Sequence, residues 1–256
     1  MISGEGSMSD REEKIKLGSD TAKGGFNNEK DVVEMFNSWK KNVFAQQWLK
    51  KLGYNLKEIE EVKARTLSGY KTDVQVVIIT KSGLEKVENF QVKLVSNKRG
   101  YNQIDKRWVK RYKELWDFNP KVEELLKKFT GEIKPSGETK NQKRMFLNEF
   151  SSYDREVLIN WFKQNRRLIV SDILKGRGEY SASWMLVIQN VEGNYTWILN
   201  PMDEVLQKMG LDGDVRISPR GSLNIGKITM QRKGGDGGRP SANQLQFKIN
   251  PIDLLN

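Results

Sequence analysis

The chain contains no cysteine and no histidine. Disulfides, Cys/His zinc sites, Ser-His-Asp triads, Cys nucleophiles and imidazole acid–base chemistry are therefore excluded. Any catalysis must run on carboxylates, amides, Lys, Tyr and a hard metal ion. Long apolar runs are missing too: nothing approaches the ~18 consecutive apolar residues of a membrane span. The opening stretch MISGEGSMSDREEK holds no apolar segment of signal-peptide type, so a cytoplasmic protein with no membrane partner is expected. Negative charge is in short supply, because 44 Lys and Arg face 33 Asp and Glu, leaving a net +11. That excess favours a polyanionic partner, since each phosphate contact releases counterions. By charge alone, nucleic-acid, ribosomal and membrane-surface proteins all fit.

What is present is organised around Ser68 to Asn97. Val74 to Ile79 is an apolar run, Lys81-Ser82-Gly83 is a turn, and Phe90-Gln91-Val92-Lys93-Leu94-Val95 returns as a second strand. Period-two alternation puts Phe90, Val92 and Leu94 on one face and Gln91, Lys93 and Val95 on the other. A three-residue loop with Gly83 at the φ > 0 position pairs Val74 with Phe90 and sets Asp73 opposite Gln91. Cross-strand neighbours are ~5 Å apart and diagonal ones ~7 Å, which gathers a carboxylate, an amide and an ammonium into one small volume. The Asp73 carboxylate, the Gln91 amide oxygen and a backbone carbonyl near Val92 suit a hard cation such as Mg²⁺. Lys93 then stands beside a nucleophile and a phosphate oxygen, as phosphodiester cleavage requires. If the hairpin is considered alone, a solvated cross-strand ion pair is the better account of Asp73 and Lys93.

Elsewhere the pattern gives an α/β chain of 256 residues, with 37% hydrophobic content sufficient for a core. Residues 1–16 read as a mobile polar tail and 17–256 as one domain. Within it, 17–131 carries helices and the catalytic hairpin, 143–256 is β-rich, and the polar loop 132–142 lies between them. Helices are expected from Asn27 or Asn28 onward, with Val32, Val33, Phe36 and Trp39 as the apolar stripe, and over Val43–Leu52, Tyr54–Ala64 and Ile104–Asp117. Further ones are expected over Val122–Phe129, from Ser152 to Asn165, and over Met202–Met209. Strands are expected over Leu168–Ile173, Trp184–Gln189, Trp197–Leu199 and Gln244–Ile249, the last closing a single central mixed sheet. In the Ile104–Asp117 segment, Trp108, Tyr112 and Trp116 read as core, with cations between them, Lys106 lying nearest the hairpin.

Two further segments have the composition of DNA-reading loops. Ser96 to Gln103 offers Lys98 and Arg99 for phosphates, Asn102 and Gln103 for base edges, Asn97 as a further DNA contact, and Tyr101 as a wedge between base steps or a rim aromatic. Val215 to Arg239 offers Ser218, Arg220, Ser222 and Asn224, then Gln231, Arg232, Lys233 and Asp236 around a glycine run that permits close backbone approach or forms a mobile turn. Arg177, in Lys175-Gly176-Arg177-Gly178, fits a phosphate contact or a hairpin turn.

Thr72-Asp73 followed by Gln91-Val92-Lys93 resembles the PD-(D/E)xK nuclease superfamily in its variant with an amide for the second acid. FQVKLVSNKRGYNQID (Phe90–Asp105), DILKGRG (Asp172–Gly178), SPRGSLNIG (Ser218–Gly226) and QRKGGD (Gln231–Asp236) more closely resemble the HinP-type restriction endonucleases, whose core is shared by the Msp group. The resemblance runs from about Leu17 to the C-terminus. It implies a restriction-endonuclease-like central mixed β-sheet flanked by helices, and a type II enzyme cutting double-stranded DNA at a short palindrome, GCGC, with Mg²⁺. It further implies Asp73 and Gln91 as metal ligands with Lys93 as stabiliser, and Thr72 where the relative has Ser. Glu29 matches the superfamily acid on the first core helix; complementing the helix dipole is its other reading. A cognate DNA methyltransferase would act on the same site without required contact. Cutting both strands calls for a homodimer or two binding events. Repair nicking, cleavage at a modified base, and a non-catalytic DNA-binding module are the alternatives.

Overall fold

The computed structural model describes residues 29–98, 100–235, 237 and 239–255. The expected tail and domain start, together with Arg99 and Asp236, lie outside the described residues.

Two five-stranded sheets form the frame. The first has the order β1 (Ile59–Thr66), β2 (Val74–Thr80), β3 (Glu85–Val95), β5 (Trp184–Val191), β6 (Asn194–Pro201). It is mixed, because β3 and β5 pair in parallel while its other neighbours are antiparallel. The second is antiparallel, in the order β4 (Asn102–Arg107), β10 (Leu245–Ile249), β9 (Ile228–Arg232), β8 (Leu223–Ile225), β7 (Val215–Ile217). The fold class is thus the expected α/β. The single central sheet becomes two, and Leu245–Ile249 is an interior strand of the second rather than the closing strand of the first.

Alternation explains the layering. Val74, Val76, Ile78, Phe90 and Val92 point to one face of the first sheet, where Glu29–Asn37 and Val43–Lys51 cover them. Asn42 caps the second of these helices by accepting from Ala45 N at 3.0 Å. Phe36 is fully buried, with its ring centroid 5.3 Å from both Phe90 and Trp48. Phe36→Ala is expected to cost about 3–5 kcal/mol of stability, read as a lower urea midpoint. The opposite face carries Met185, Val187 and Val95 into a larger core shared with the second sheet and with helices Val109–Trp116, Pro120–Thr130, Ser152–Gln164 and Arg166–Leu174.

Three sequence expectations are corrected. Tyr54–Ala64 is a short 3₁₀ turn followed by β1, not a helix. A bulge between Ile59 and Glu61 adds one residue, so Ile59 and Val62 point inward three apart, imitating helical spacing. Leu168–Ile173 is not a strand but lies in the helix Arg166–Leu174, where Ile169, Val170, Asp172, Ile173 and Leu174 are all buried, so no clean apolar stripe marks the helical period. Ile104–Asp117 divides into the end of β4 and the helix Val109–Trp116. Trp108 is the extended residue between them and is half exposed rather than core, while Tyr112 and Trp116 are buried.

Candidate active site

The hairpin forms in the expected register, from Val74 opposite Phe90 to Ile79 opposite Glu85. Gly83 takes φ 82°, and its N–H donates to Thr80 O at 2.9 Å. Asp73 lies one residue beyond this ladder. Its N–H donates to Phe90 O at 2.8 Å, and its carboxylate reaches across to β3. There Asp73 Oδ2 accepts from Val92 N at 2.8 Å and lies 3.5 Å from Lys93 Nζ. Lys93 Nζ also donates to Val92 O at 3.0 Å. Gln91 is buried on the same face as Lys93, and its Oε1 has no hydrogen-bond partner among the described residues. One carboxylate oxygen, one orphaned amide oxygen and one peptide carbonyl thus belong to one corner of the hairpin.

An unpaired buried amide oxygen costs about 1–3 kcal/mol. Its presence beside a carboxylate fits a hard cation, which takes oxygen ligands and leaves few other uses for that atom. Among the described residues no three Asp or Glu side chains gather into a metal site, so the amide and carbonyl oxygens are the donors available beside Asp73. Thr72 is fully buried, and its hydroxyl donates to Tyr180 O at 2.8 Å, which pins the chain immediately before Asp73. Glu29 is exposed in the first turn of its helix. Among the described residues no hydrogen bond or ion pair joins it to Asp73, Gln91 or Lys93.

Two residues flanking Asp73 and β4 escape notice in the sequence. Lys71 Nζ donates to Asp105 Oδ2 at 2.6 Å and to Ile104 O at 2.5 Å, bridging the first sheet to the second. Burial pulls the Lys71 ammonium below its ordinary value, and the neighbouring Asp105 pulls it back up. Tyr112 donates to the other Asp105 oxygen, and burial raises its phenol. Nothing in the sequence links Lys71 to Asp105, because their contact spans two sheets.

The second sheet sorts the expected DNA-reading residues by face. Pairing across it sets Gln103 beside Lys248, Lys248 beside Thr229, Thr229 beside Asn224, and Asn224 beside Arg216. Lys106, Gln246 and Gln231 form a parallel row. Directly paired residues share a face, so Gln103, Lys106, Asn224 and Gln231 lie together on the polar side of the sheet. The other side carries Phe247, Met230 and Leu223 into the core. Arg216, Thr229 and Lys248 belong to the same polar row and were missed, each being a lone polar residue in an alternating strand.

The remaining candidates scatter around this face. Tyr101 is 67% exposed in the loop before β4, as a wedge would be. Lys98 is exposed beside it, Asn97 O accepts from Gln189 Nε2 at 2.9 Å, and Asn102 is half buried with its amide on Gly100 O. Ser218 and Ser222 close a turn on each other, with the Ser218 hydroxyl accepting from Ser222 N at 3.1 Å, so their hydroxyl and backbone groups shape the loop that exposes Arg220. Arg232 Nε and Nη2 both donate to Asn243 Oδ1, and Lys233 N donates to Gln244 O. Arg177 is engaged by Asp172 Oδ1 at 2.6 Å and Leu115 O at 3.1 Å, which makes it an anchor of its turn.

The family model described as "R.HinP1I restriction endonuclease" matches residues 52–255. The chain belongs to that restriction endonuclease family. Membership makes it a type II restriction endonuclease, a site-specific deoxyribonuclease that cleaves DNA. A solved structure, restriction endonuclease MspI in complex with its cognate DNA, is similar over 91% of this chain and 97% of that one, with a TM-score of 0.61 and 16% identity. The likeness establishes a shared fold with the two-sheet frame. No curated protein gives a significant match. In this family member, no helix among the described residues is long and apolar enough to cross a membrane.

Proposed function

We propose that this restriction endonuclease cuts double-stranded DNA at a short palindrome, GCGC, using Mg²⁺ held by Asp73, Gln91 and the Val92 carbonyl. The orphaned Gln91 Oε1, on the residue that the hairpin register sets opposite Asp73, is the observation that carries this reading. A bound Mg²⁺ would make water a stronger nucleophile and offset charge on the phosphate. Lys93 has three N–H donors, of which Val92 O and Asp73 Oδ2 engage two. The third is available to orient the attacking water or to hold a phosphate oxygen as its charge grows. Asp73 keeps that ammonium in place, and its own position is fixed by Val92 N and by the Thr72 anchor.

The polar rows on the second sheet, with Tyr101 and Lys98 at their edge, are the surface for the groove and backbone. The GCGC assignment rests on the sequence resemblance. Asn and Gln side chains, Arg220 and Lys106 supply the donors that guanine O6 and N7 accept. A homodimer, or successive cuts by a monomer, would sever both strands, and a cognate methyltransferase would protect host sites in the cytoplasm.

Digestion of a sequenced plasmid with Mg²⁺ or EDTA, followed by end sequencing, tests the proposal. Mg²⁺-dependent ends at GCGC are expected, and ends at another sequence would move the site while keeping the chemistry. Lys248→Ala is expected to weaken binding uniformly across sequences and to lower the salt slope by about one unit, measured by titration over a KCl series. A relaxed site preference with an unchanged slope would instead make Lys248 a base reader.

A further inference from the structure

Lys71 and Asp105 form an ion pair almost closed to water, with side chains 13% and 4% exposed. Both Asp105 carboxylate oxygens are engaged. Asp105 Oδ2 also accepts from Arg107 Nη2 at 3.0 Å, and Oδ1 accepts from Tyr112 at 2.5 Å. The second Lys71 contact is to a backbone group with a special place in the sheet. Asp105 pairs with Phe247 and Gln103 with Lys248, so Ile104 is the extra residue of a bulge in β4. Its carbonyl is the one that Lys71 takes.

The bulge decides which way the recognition strand faces. Without it, Gln103 would point to the same side as Asp105, into the core; with it, Gln103 joins Lys106 on the polar face. Lys71 stands two residues before Asp73, and Asp105 two residues after Gln103. A single pair of charges thus spans the distance between the catalytic carboxylate and the strand that meets the bases.

We propose that Lys71 and Asp105 are positioning residues that lock the bulge of β4 to the catalytic hairpin and so couple site reading to cleavage. This rests on the assignment of Asp73 and Gln103 under Proposed function. Stability alone does not call for the pair, since well-packed apolar residues of similar volume generally serve a core as well or better. What a fully hydrogen-bonded ion pair adds is a fixed distance and direction. When Gln103 and its neighbours seat on the correct base pairs, the tie holds Asp73 in register with the phosphate. When they seat poorly, the same tie draws Asp73 away from it.

The test compares wild type with Lys71→Met, Lys71→Arg, Tyr112→Phe and Asp73→Asn. Each is given a duplex carrying the mapped site and a duplex with one base pair changed. Affinity is measured in Ca²⁺, single-turnover cleavage in Mg²⁺, and folding by thermal melt. Lys71→Met is expected to keep its affinity for the correct duplex but to cleave it about 10²-fold more slowly, the cost of a displacement near 1 Å. Its preference for the correct over the altered duplex is expected to fall about tenfold, because the penalty lands on the correctly seated complex. Lys71→Arg should recover most of both losses. Tyr112→Phe, which removes one hydrogen bond and leaves the ring in place, should lower rate and preference in the same direction, and it decides the matter if Lys71→Met fails to fold. Wild-type rate and preference in Lys71→Met would overturn the proposal, as would an equal loss on both duplexes. Wild-type cleavage by Asp73→Asn would remove the site assignment itself, whatever the Lys71 variants do.

Discussion

Lys93→Ala is expected to bind its DNA site normally and to cleave it about 10²–10³-fold more slowly, as when one donor to developing negative charge is lost. The ammonium is held on two sides, by Val92 O at 3.0 Å and Asp73 Oδ2 at 3.5 Å, and its side chain is only 14% exposed. Its backbone pairs with Val187 on β5, so truncation removes the charge without disturbing that ladder. Single-turnover kinetics separate this from a binding defect: kcat falls while the dissociation constant in Ca²⁺ stays put. An unchanged rate would show that Lys93 only closes an ion pair with Asp73.

Asp73→Asn has the larger expected effect, a loss of about 10⁴-fold, since a catalytic metal supplies several kcal/mol and each ~1.4 kcal/mol is tenfold in rate. The amide oxygen can still accept from Val92 N, which keeps the corner folded. What disappears is the negative charge proposed to attract the cation and to restrain Lys93. Cleavage should be lost at ordinary Mg²⁺, while a gel shift on the cognate duplex persists. Cleavage at the wild-type rate would require a different carboxylate, and Glu29 would be the first to replace by Gln.

The hairpin corner proposed as catalytic was legible in the sequence because its geometry is local. Asp73, Gln91 and Lys93 belong to one hairpin whose short loop fixes the register, and alternation does the rest. The residues proposed for recognition were picked out by composition: amides, cations and glycines in two loops. Which of them share a face was not, because that depends on the pairing of β4 with β10 and on one extra residue at Ile104. The same kind of irregularity hid β1, where the bulge after Ile59 gave inward residues the spacing of a helix. In Arg166–Leu174 burial on most sides erased the polar face that marks a helix, and Asp172 is kept there by Trp116 Nε1 at 2.9 Å and by Arg177. Lys71 carried no signal in the sequence, since its partner Asp105 lies on β4 of the second sheet.

The parallel pairing of β3 with β5 sets an order of assembly. The helices Glu29–Asn37 and Val43–Lys51, together with β1, β2 and most of β3, can gather from near neighbours in the chain. The second edge of β3 waits for Trp184–Val191, nearly a hundred residues later, and β4 waits for Leu245–Ile249 at the far end. Contacts so distant are slow to form, because the intervening chain must be closed first. During synthesis the catalytic strand is therefore an open edge, ready to pair with another chain, until the second half of the protein arrives. A fragment that stops before Trp184 would leave that edge of β3 unpaired and is expected to aggregate, read by light scattering.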